Sequence, residues 1–130
     1  IQYFGYATPQ PTKQFDFHDG PLLRNGKKSR TYDLVKRMNA ELKSVATLFW
    51  ESEITNIEHR RCFDGEVVVS HFRKENKEYT CYVNKSAEEE VTVNIRTRHF
   101  SKRILKNLET ENVKSRYVLS AGDILILSNK

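Results

Sequence analysis

The sequence has few of the residues that build special sites. Its 130 residues include two cysteines, five glycines, three prolines and one tryptophan. No stretch approaches the roughly 18 consecutive apolar residues that a membrane-spanning helix needs. Two thiols are too few for a structural zinc site, and His59 and His71 do not have the spacing of metal ligands. We therefore predict no metal, no cofactor and no membrane span.

Motifs for covalent catalysis are also missing. The sequence has no G-x-S-x-G nucleophile elbow and no Gly-rich phosphate loop, and neither cysteine has a histidine partner nearby in sequence. Glycoside hydrolysis needs two positioned carboxylates. The densest acidic run, residues 88–90, falls in a predicted hairpin turn and is expected to be solvated. The chain alone is therefore not predicted to be catalytic.

The charge is basic but scattered. The net charge is +5 and the isoelectric point is about 9.3. Lysines and arginines are interleaved with acids along the whole chain, which is typical of a solvated basic surface rather than of a nucleic-acid site. An interaction domain for an anionic polymer is an alternative that rests on this charge alone. It requires a clustered basic face.

The two cysteines, Cys62 and Cys81, both fall in predicted strands. A free cysteine in a strand behaves as a small apolar residue. One disulfide is an alternative if the chain resides in an oxidising compartment. The spacing leaves both alternatives open.

One amphipathic helix is predicted over residues 31–49, because apolar side chains recur there at three- and four-residue steps. Ser29 or Thr31 is expected to cap its start. Trp50 follows the helix, where it is expected either to plug the joint with the next strand or to stack on a sugar. The predicted buried stripe consists of Tyr32, Val35, Met38, Asn39, Leu42, Val45 and Phe49.

From residue 51 onward the apolar period changes to two, which indicates half-buried strands. The short strands, at roughly 8–12-residue spacing, predict an antiparallel β-sandwich. The apolar run of residues 124–127 predicts a closing strand that is buried on both faces. The fold class is therefore mostly β, preceded by a loop and one amphipathic helix. The predicted strands cover residues 54–60, 66–73, 78–84, 91–96, 104–108, 113–119 and 124–127.

The N-terminal segment carries the densest cluster of polar side chains. Residues 1–6 predict a buried strand, and residues 13–30 predict a loop. Within this loop, Asp16, His18 and Asp19 could bind sugar hydroxyls or assist acid–base chemistry. The alternative is structural, because an aspartate before Gly-Pro is a common turn residue.

Several phrases of the sequence resemble a known family. Residues 1–9, 16–28 and 31–43 resemble the final βα unit of TIM-barrel glycoside hydrolases, closest to β-galactosidase-like enzymes of Bacteroides-type bacteria. Residues 81–86 and 120–127 resemble strands of the C-terminal β-domain of those enzymes, with Ser120 in place of the usual proline. The resemblance covers nearly the whole chain, and its β half is generic.

The resemblance implies that residues 1–50 are the last strand, loop and helix of a barrel, and residues 51–130 are a C-terminal β-sandwich domain. The role would be non-catalytic: packing on and stabilising the catalytic barrel of the same polypeptide. The family's catalytic glutamates lie on earlier barrel strands, outside this chain. Asp16, His18 and Asp19 would contact the oligosaccharide at the catalytic face of the intact enzyme.

The same resemblance implies a periplasmic, cell-surface or secreted location. A stand-alone carbohydrate-binding module is an alternative, and it requires an exposed aromatic row. Without a barrel, the N-terminal strand would be an apolar edge, so we also expect a homodimer to form through residues 1–30.

Overall fold

The computed structural model describes residues 7, 10, 11, 13 and 20–130. The chain divides into two compact units, Ile1–Lys43 and Ser44–Lys130, and the division falls inside a single helix, α1 (Arg30–Phe49). The helix confirms the prediction for residues 31–49. The domain boundary at residue 50 stays a prediction.

Helix α1 begins after a small turn in the first unit. Leu22 bridges Lys28, and Gly26 adopts a φ of 77° between them. The Ser29 hydroxyl accepts a hydrogen bond from the Thr31 amide at 3.2 Å. Ser29 therefore caps the helix as predicted, because it satisfies one of the amides that the first helical turn leaves without a partner.

The second unit is built from eight strands in two antiparallel sheets. One sheet has six strands in the order β1-β2-β3-β8-β5-β6, and the other pairs β4 with β7. The predicted mostly-β, antiparallel fold with one preceding helix is therefore confirmed. The strands are β1 (Glu53–Cys62), β2 (Gly65–Lys74), β3 (Lys77–Asn84), β4 (Val91–Asn94), β5 (Phe100–Ile104), β6 (Thr110–Glu111), β7 (Arg116–Leu119) and β8 (Ile124–Asn129).

The main core lies between the two sheets, and we call it the sandwich core. Ten buried side chains fill it, five from the large sheet and five from or beside the small one. Alternate residues of each strand point inward, as half-buried strands require. The ten are Val67, Val69, Tyr82, Leu125, Leu127, Val91, Val93, Ile95, Tyr117 and Leu119.

A smaller core lies on the opposite face of the six-stranded sheet, and we call it the helix-side core. Five buried residues form it: Val45 from the helix, with Phe72, Tyr79, Cys81 and Ile126 from the strands. Phe72 stacks on Tyr79 with ring centroids 5.2 Å apart. These contacts anchor the last turns of α1 to the sheet.

Strand β8 lies between β3 and β5 and contributes to both cores. Leu125 and Leu127 face the sandwich core, whereas Ile126 faces the helix-side core. The predicted closing strand with burial on both faces is confirmed. The turn before it contains Gly122 at a φ of 75°.

Two strand predictions are wrong in position. The strand predicted at residues 104–108 is instead β5, which ends at Ile104. A tight turn follows, in which the Leu108 amide donates to the Leu105 carbonyl at 2.9 Å. Leu108 adopts a φ of 65° and is 40% exposed, so this apolar residue lies in a turn rather than in a core.

The strand predicted at residues 113–119 is also wrong in extent. The structure forms β6 before it, and β7 begins only at Arg116. Between them the chain crosses from the large sheet to the small one. The Lys114 amide donates to the Tyr117 hydroxyl at 2.8 Å, so a side chain replaces the strand partner there.

The disulfide alternative is wrong, because both cysteines are free. Cys62 packs against the sandwich core and Cys81 lies in the helix-side core. The two thiols are therefore on opposite faces of one sheet. Burial raises the pKa of the Cys81 thiol to about 11, which suits a core cysteine.

The predicted stripe of α1 is buried only in part. Val45 is buried, whereas Met38 and Leu42 are each 42% exposed. The three-and-four periodicity correctly identified the helix and its apolar face. It did not identify how much of that face is covered.

Candidate functional site

A polar cleft opens on the sandwich-core side of the large sheet, beyond the end of the small sheet. Its volume is about 670 Å³. Each of three adjacent strands changes there from apolar to polar residues on one face: Val69 is followed by His71, Tyr82 is preceded by Thr80, and Leu127 is followed by Asn129. Because the side-chain period of a strand is two, these polar residues share the face that the core residues occupy.

The floor of the cleft holds a chain of hydrogen bonds. The Thr80 hydroxyl, which is 1% exposed, donates to Asn129 Oδ1 at 3.0 Å and lies 3.0 Å from His71 Nδ1. A hydroxyl has one hydrogen, so His71 Nδ1 must be the donor in its own bond with Thr80. In the neutral imidazole this places the hydrogen on Nδ1 and leaves Nε2 as a hydrogen-bond acceptor.

An arginine borders the floor. The Arg60 guanidinium lies 5.4 Å from the centroid of the Tyr82 ring and donates to the Tyr82 hydroxyl at 3.3 Å. It also donates to Glu58 at 2.6 Å. Burial acts to lower the pKa of Arg60, but the bond with Glu58 and the attraction of Tyr82 outweigh it and raise the pKa above its usual value.

The opposite wall comes from the end of β4 and the 3-10 turn Thr97–His99. It contributes Asn94, Arg96 and His99. The turn is tied at both ends, since the His99 amide donates to the Arg96 carbonyl at 3.0 Å and the His99 carbonyl accepts from the Lys130 amide at 3.1 Å. Arg98 Nε donates to His99 Nε2 at 3.3 Å, so that imidazole nitrogen acts as an acceptor.

Of the predicted site residues, the structure describes only Trp50, and Trp50 does not line this cleft. Asp16, His18 and Asp19 lie outside the described residues, so their predicted contact with substrate stays a prediction, as does the dimer through residues 1–30. Trp50 is described and is 71% exposed. The interpretation that Trp50 plugs the joint after the helix is therefore wrong, and its role as a sugar-stacking residue stays a prediction.

The cleft residues were not predicted from the sequence. Arg60, His71, Arg96 and His99 are scattered through it without motif spacing. The signal that was present is the change from apolar to polar residues at alternate positions of β2, β3 and β8, which marks where the small sheet stops covering the large one. This change identifies the cleft only when the strand register is known, because the register shows which residues of the three strands are neighbours.

Two further absences hold for the described part of the chain. Residues 20–130 contain no group of three or more His, Cys, Asp or Glu side chains that could hold a metal ion. Among the described helical residues, none form a segment long and apolar enough to cross a membrane.

Comparison with known proteins found no match: no protein-family model, no curated protein and no solved structure is similar to this chain.

Proposed function

We propose that the chain is the non-catalytic C-terminal part of a glycoside hydrolase, and that its β-sandwich packs on and stabilises the catalytic barrel of the same polypeptide. The sequence phrases that resemble those enzymes support the proposal. The mostly-β fold with one preceding helix agrees with the architecture that the resemblance implies. By the same resemblance, we propose a periplasmic, cell-surface or secreted location.

The observation that carries the proposal is an apolar surface beside the helix-side core. We call it the helix-side patch, and it consists of Phe49, Trp50, Ile54 and Ile57, with exposed fractions of 38, 71, 63 and 57%. Phe49 links it to the core, because its ring centroid lies 4.8 Å from that of Phe72. Exposed apolar residues that cluster in this way mark interaction surfaces.

A bulge in β1 builds the patch. Ile54 pairs with Phe72 and Ile57 pairs with Ser70, and the register shifts between Ile54 and Asn56. Residues three apart in a regular strand face opposite sides of the sheet, so the bulge turns both isoleucines to the same side. The Thr55 hydroxyl donates to the His71 carbonyl at 3.2 Å within this bulge.

The helix carries a second exposed apolar stripe in the first unit. Leu34, Met38 and Leu42 recur every four residues, with exposed fractions of 56, 42 and 42%. Spacing of four places side chains on one face of a helix. A barrel that covered the helix-side patch would gain about 25 cal/mol for each Å² of apolar surface it buries, and the same holds separately for this stripe of the first unit.

The first experiment measures the size of the native protein. An antibody raised against residues 44–130 captures the protein from its source, and mass spectrometry gives its intact mass. We expect the 15.3 kDa of this chain plus at least a barrel of roughly 250 residues. We also expect the captured protein to hydrolyse nitrophenyl glycosides, whereas the isolated chain does not. A native mass of 15.3 kDa would overturn the proposal.

The second experiment tests the patch in the intact polypeptide. Ile57→Lys should lower its melting temperature by several degrees, because a charge is then buried against the barrel. Val118→Lys is the matched control, since Val118 is 52% exposed on β7, which belongs to the small sheet. Equal effects of the two substitutions would contradict the assignment of the helix-side patch to the barrel.

A further inference from the structure

We propose that the polar cleft binds an acidic saccharide, a sugar that bears a carboxylate, with Arg96 receiving the carboxylate and the floor receiving the hydroxyls. The inference goes beyond the role of packing on a barrel. It requires only the unit Ser44–Lys130, so it stands or falls independently of that role.

The size and lining of the cleft suit a sugar. Its volume of about 670 Å³ lies within the roughly 300–1,000 Å³ of ligand sites. Sugar hydroxyls both donate and accept hydrogen bonds, and the lining offers both functions. Asn94 has an amide that can do both, and in the neutral imidazole of His71, whose Nδ1–H faces Thr80, Nε2 is an acceptor.

The charges of the cleft favour a negative group on that sugar. Arg60 is paired with Glu58, and Glu78 is paired with Arg73 at 3.0 Å, so these four charges compensate one another. Arg96 lines the cleft and has no ion-pair partner among residues 20–130. A guanidinium presents a planar fork of donors that matches the two oxygens of a carboxylate.

The aromatic residues of the cleft argue against a nucleic acid as the ligand. Binding of single strands relies on exposed rings on which bases stack. Tyr82 is 3% exposed and its ring already faces Arg60, while Phe100 packs against the sandwich core. The acids Glu58 and Glu78 also interrupt the positive charge beside a phosphate backbone.

The floor is organised before any ligand arrives. Thr80 is buried and is held by both His71 and Asn129, and the 3-10 turn of the opposite wall is held by backbone hydrogen bonds. Ligand binding therefore does not have to order these groups, which reduces the entropic cost of association.

The test is titration of the isolated chain, followed by amide NMR and calorimetry, with three probes. They are a galacturonic acid trisaccharide, the neutral galactose trisaccharide of the same length, and a ten-nucleotide single-stranded DNA. We expect the acidic trisaccharide to bind at least ten-fold more tightly than either other probe. The amides that shift should include those of His71, Asn94 and Arg96. Binding should weaken as salt increases.

Two arginine variants locate the site. Arg96→Gln should weaken binding of the acidic trisaccharide at least ten-fold. Arg61→Gln should leave it unchanged, because Arg61 lies on the opposite face of β1 from Arg60 and pairs in register with Glu66. Both side chains are exposed, so neither substitution should affect folding.

The inference is overturned by any of four results: no binding of the acidic trisaccharide, equal binding of the neutral one, tighter binding of DNA, or equal losses in the two arginine variants. Equal binding of the neutral trisaccharide would identify a carbohydrate module without charge selectivity. Tighter binding of DNA would identify a polyanion site. None of these results bears on the barrel.

Discussion

The six-stranded sheet has two faces, and different elements cover them. On one face the small sheet β4–β7 closes over a core of ten buried residues, and the uncovered remainder is the polar cleft. On the other face Val45 of α1 packs on four strand residues to form a core of five, and the apolar helix-side patch lies beside this core. The first face has polar residues where it meets water, whereas the second still exposes isoleucine and tryptophan.

The difference indicates which face of the six-stranded sheet has its apolar residues fully covered within the chain. A surface that is meant for solvent places polar side chains at its margin, and the margin of the sandwich core does so at His71, Thr80 and Asn129. The margin of the helix-side core carries Ile54, Ile57 and Trp50 instead. We infer that the sandwich core provides the stability of the chain by itself, whereas the helix-side core reaches its full contribution only when a partner covers it.

The largest expected effect compares the two cores on one strand. Leu127→Ala should lower the free energy of unfolding by about 4 kcal/mol, because Leu127 is 0% exposed in the sandwich core. Ile126→Ala, one residue earlier and on the other face, should cost about 2 kcal/mol, because only four other buried residues share its smaller core. Urea denaturation of both variants measures this. A larger loss for Ile126→Ala would reverse the comparison.

The next effect tests how the sandwich core closes. The Asn84 amide is 1% exposed and donates to the carbonyls of Glu89, Leu119 and Ser120 at 2.8, 3.0 and 3.1 Å. Asn84→Ala should cost about 2 kcal/mol, because those carbonyls lose a buried donor.

Asn94→Ala is the matched control for this prediction. Asn94 ends β4 and is exposed, so its removal should cost less than about 0.5 kcal/mol. If the two asparagine variants unfold at the same urea concentration, Asn84 does not tie the two sheets together.

A third effect uses the pH dependence of the helix-side core. Burial raises the pKa of the Cys81 thiol from 9.0 to about 11, so the folded state favours the neutral thiol. Its contribution to stability is complete below pH 9 and is lost as the pH rises from 9 to about 11. The free energy of unfolding should fall by no more than about 1.4 kcal/mol per pH unit in this range.

The control for the pH prediction is Cys81→Ala, which removes this titration but leaves every lysine and tyrosine in place. The free energy of unfolding of the variant should fall less steeply above pH 9 than that of the original chain. Parallel slopes would mean that Cys81 is accessible to water, and that the helix-side core is more open than its buried residues suggest.

The sequence was sufficient for what depends on local periodicity. The helix, its Ser29 cap, the hairpins β1–β2–β3 and the double-sided burial of β8 follow from apolar spacing and turn residues. The strand predicted at residues 104–108 was wrong because Leu105 and Leu108 are apolar, as strand residues often are, but lie in a tight turn. The cleft could not be predicted, because Arg60, His71, Thr80 and Arg96 meet only through strand register and through the short reach of the small sheet.

The smallest expected effect is that of a patch substitution in the isolated chain, without the proposed barrel. Ile57→Lys in the isolated chain should change the free energy of unfolding by less than about 0.5 kcal/mol, because Ile57 is 57% exposed and little packing is lost. It should also reduce self-association in sedimentation experiments, since a lysine interrupts the apolar patch and discourages pairing at the β1 edge.

Val118→Lys again serves as the control, because it adds the same charge on the small sheet. A loss above about 1 kcal/mol for Ile57→Lys alone would show that the patch is already packed within the chain. The helix-side core would then be complete without a partner. The two faces of the sheet would no longer differ in this respect.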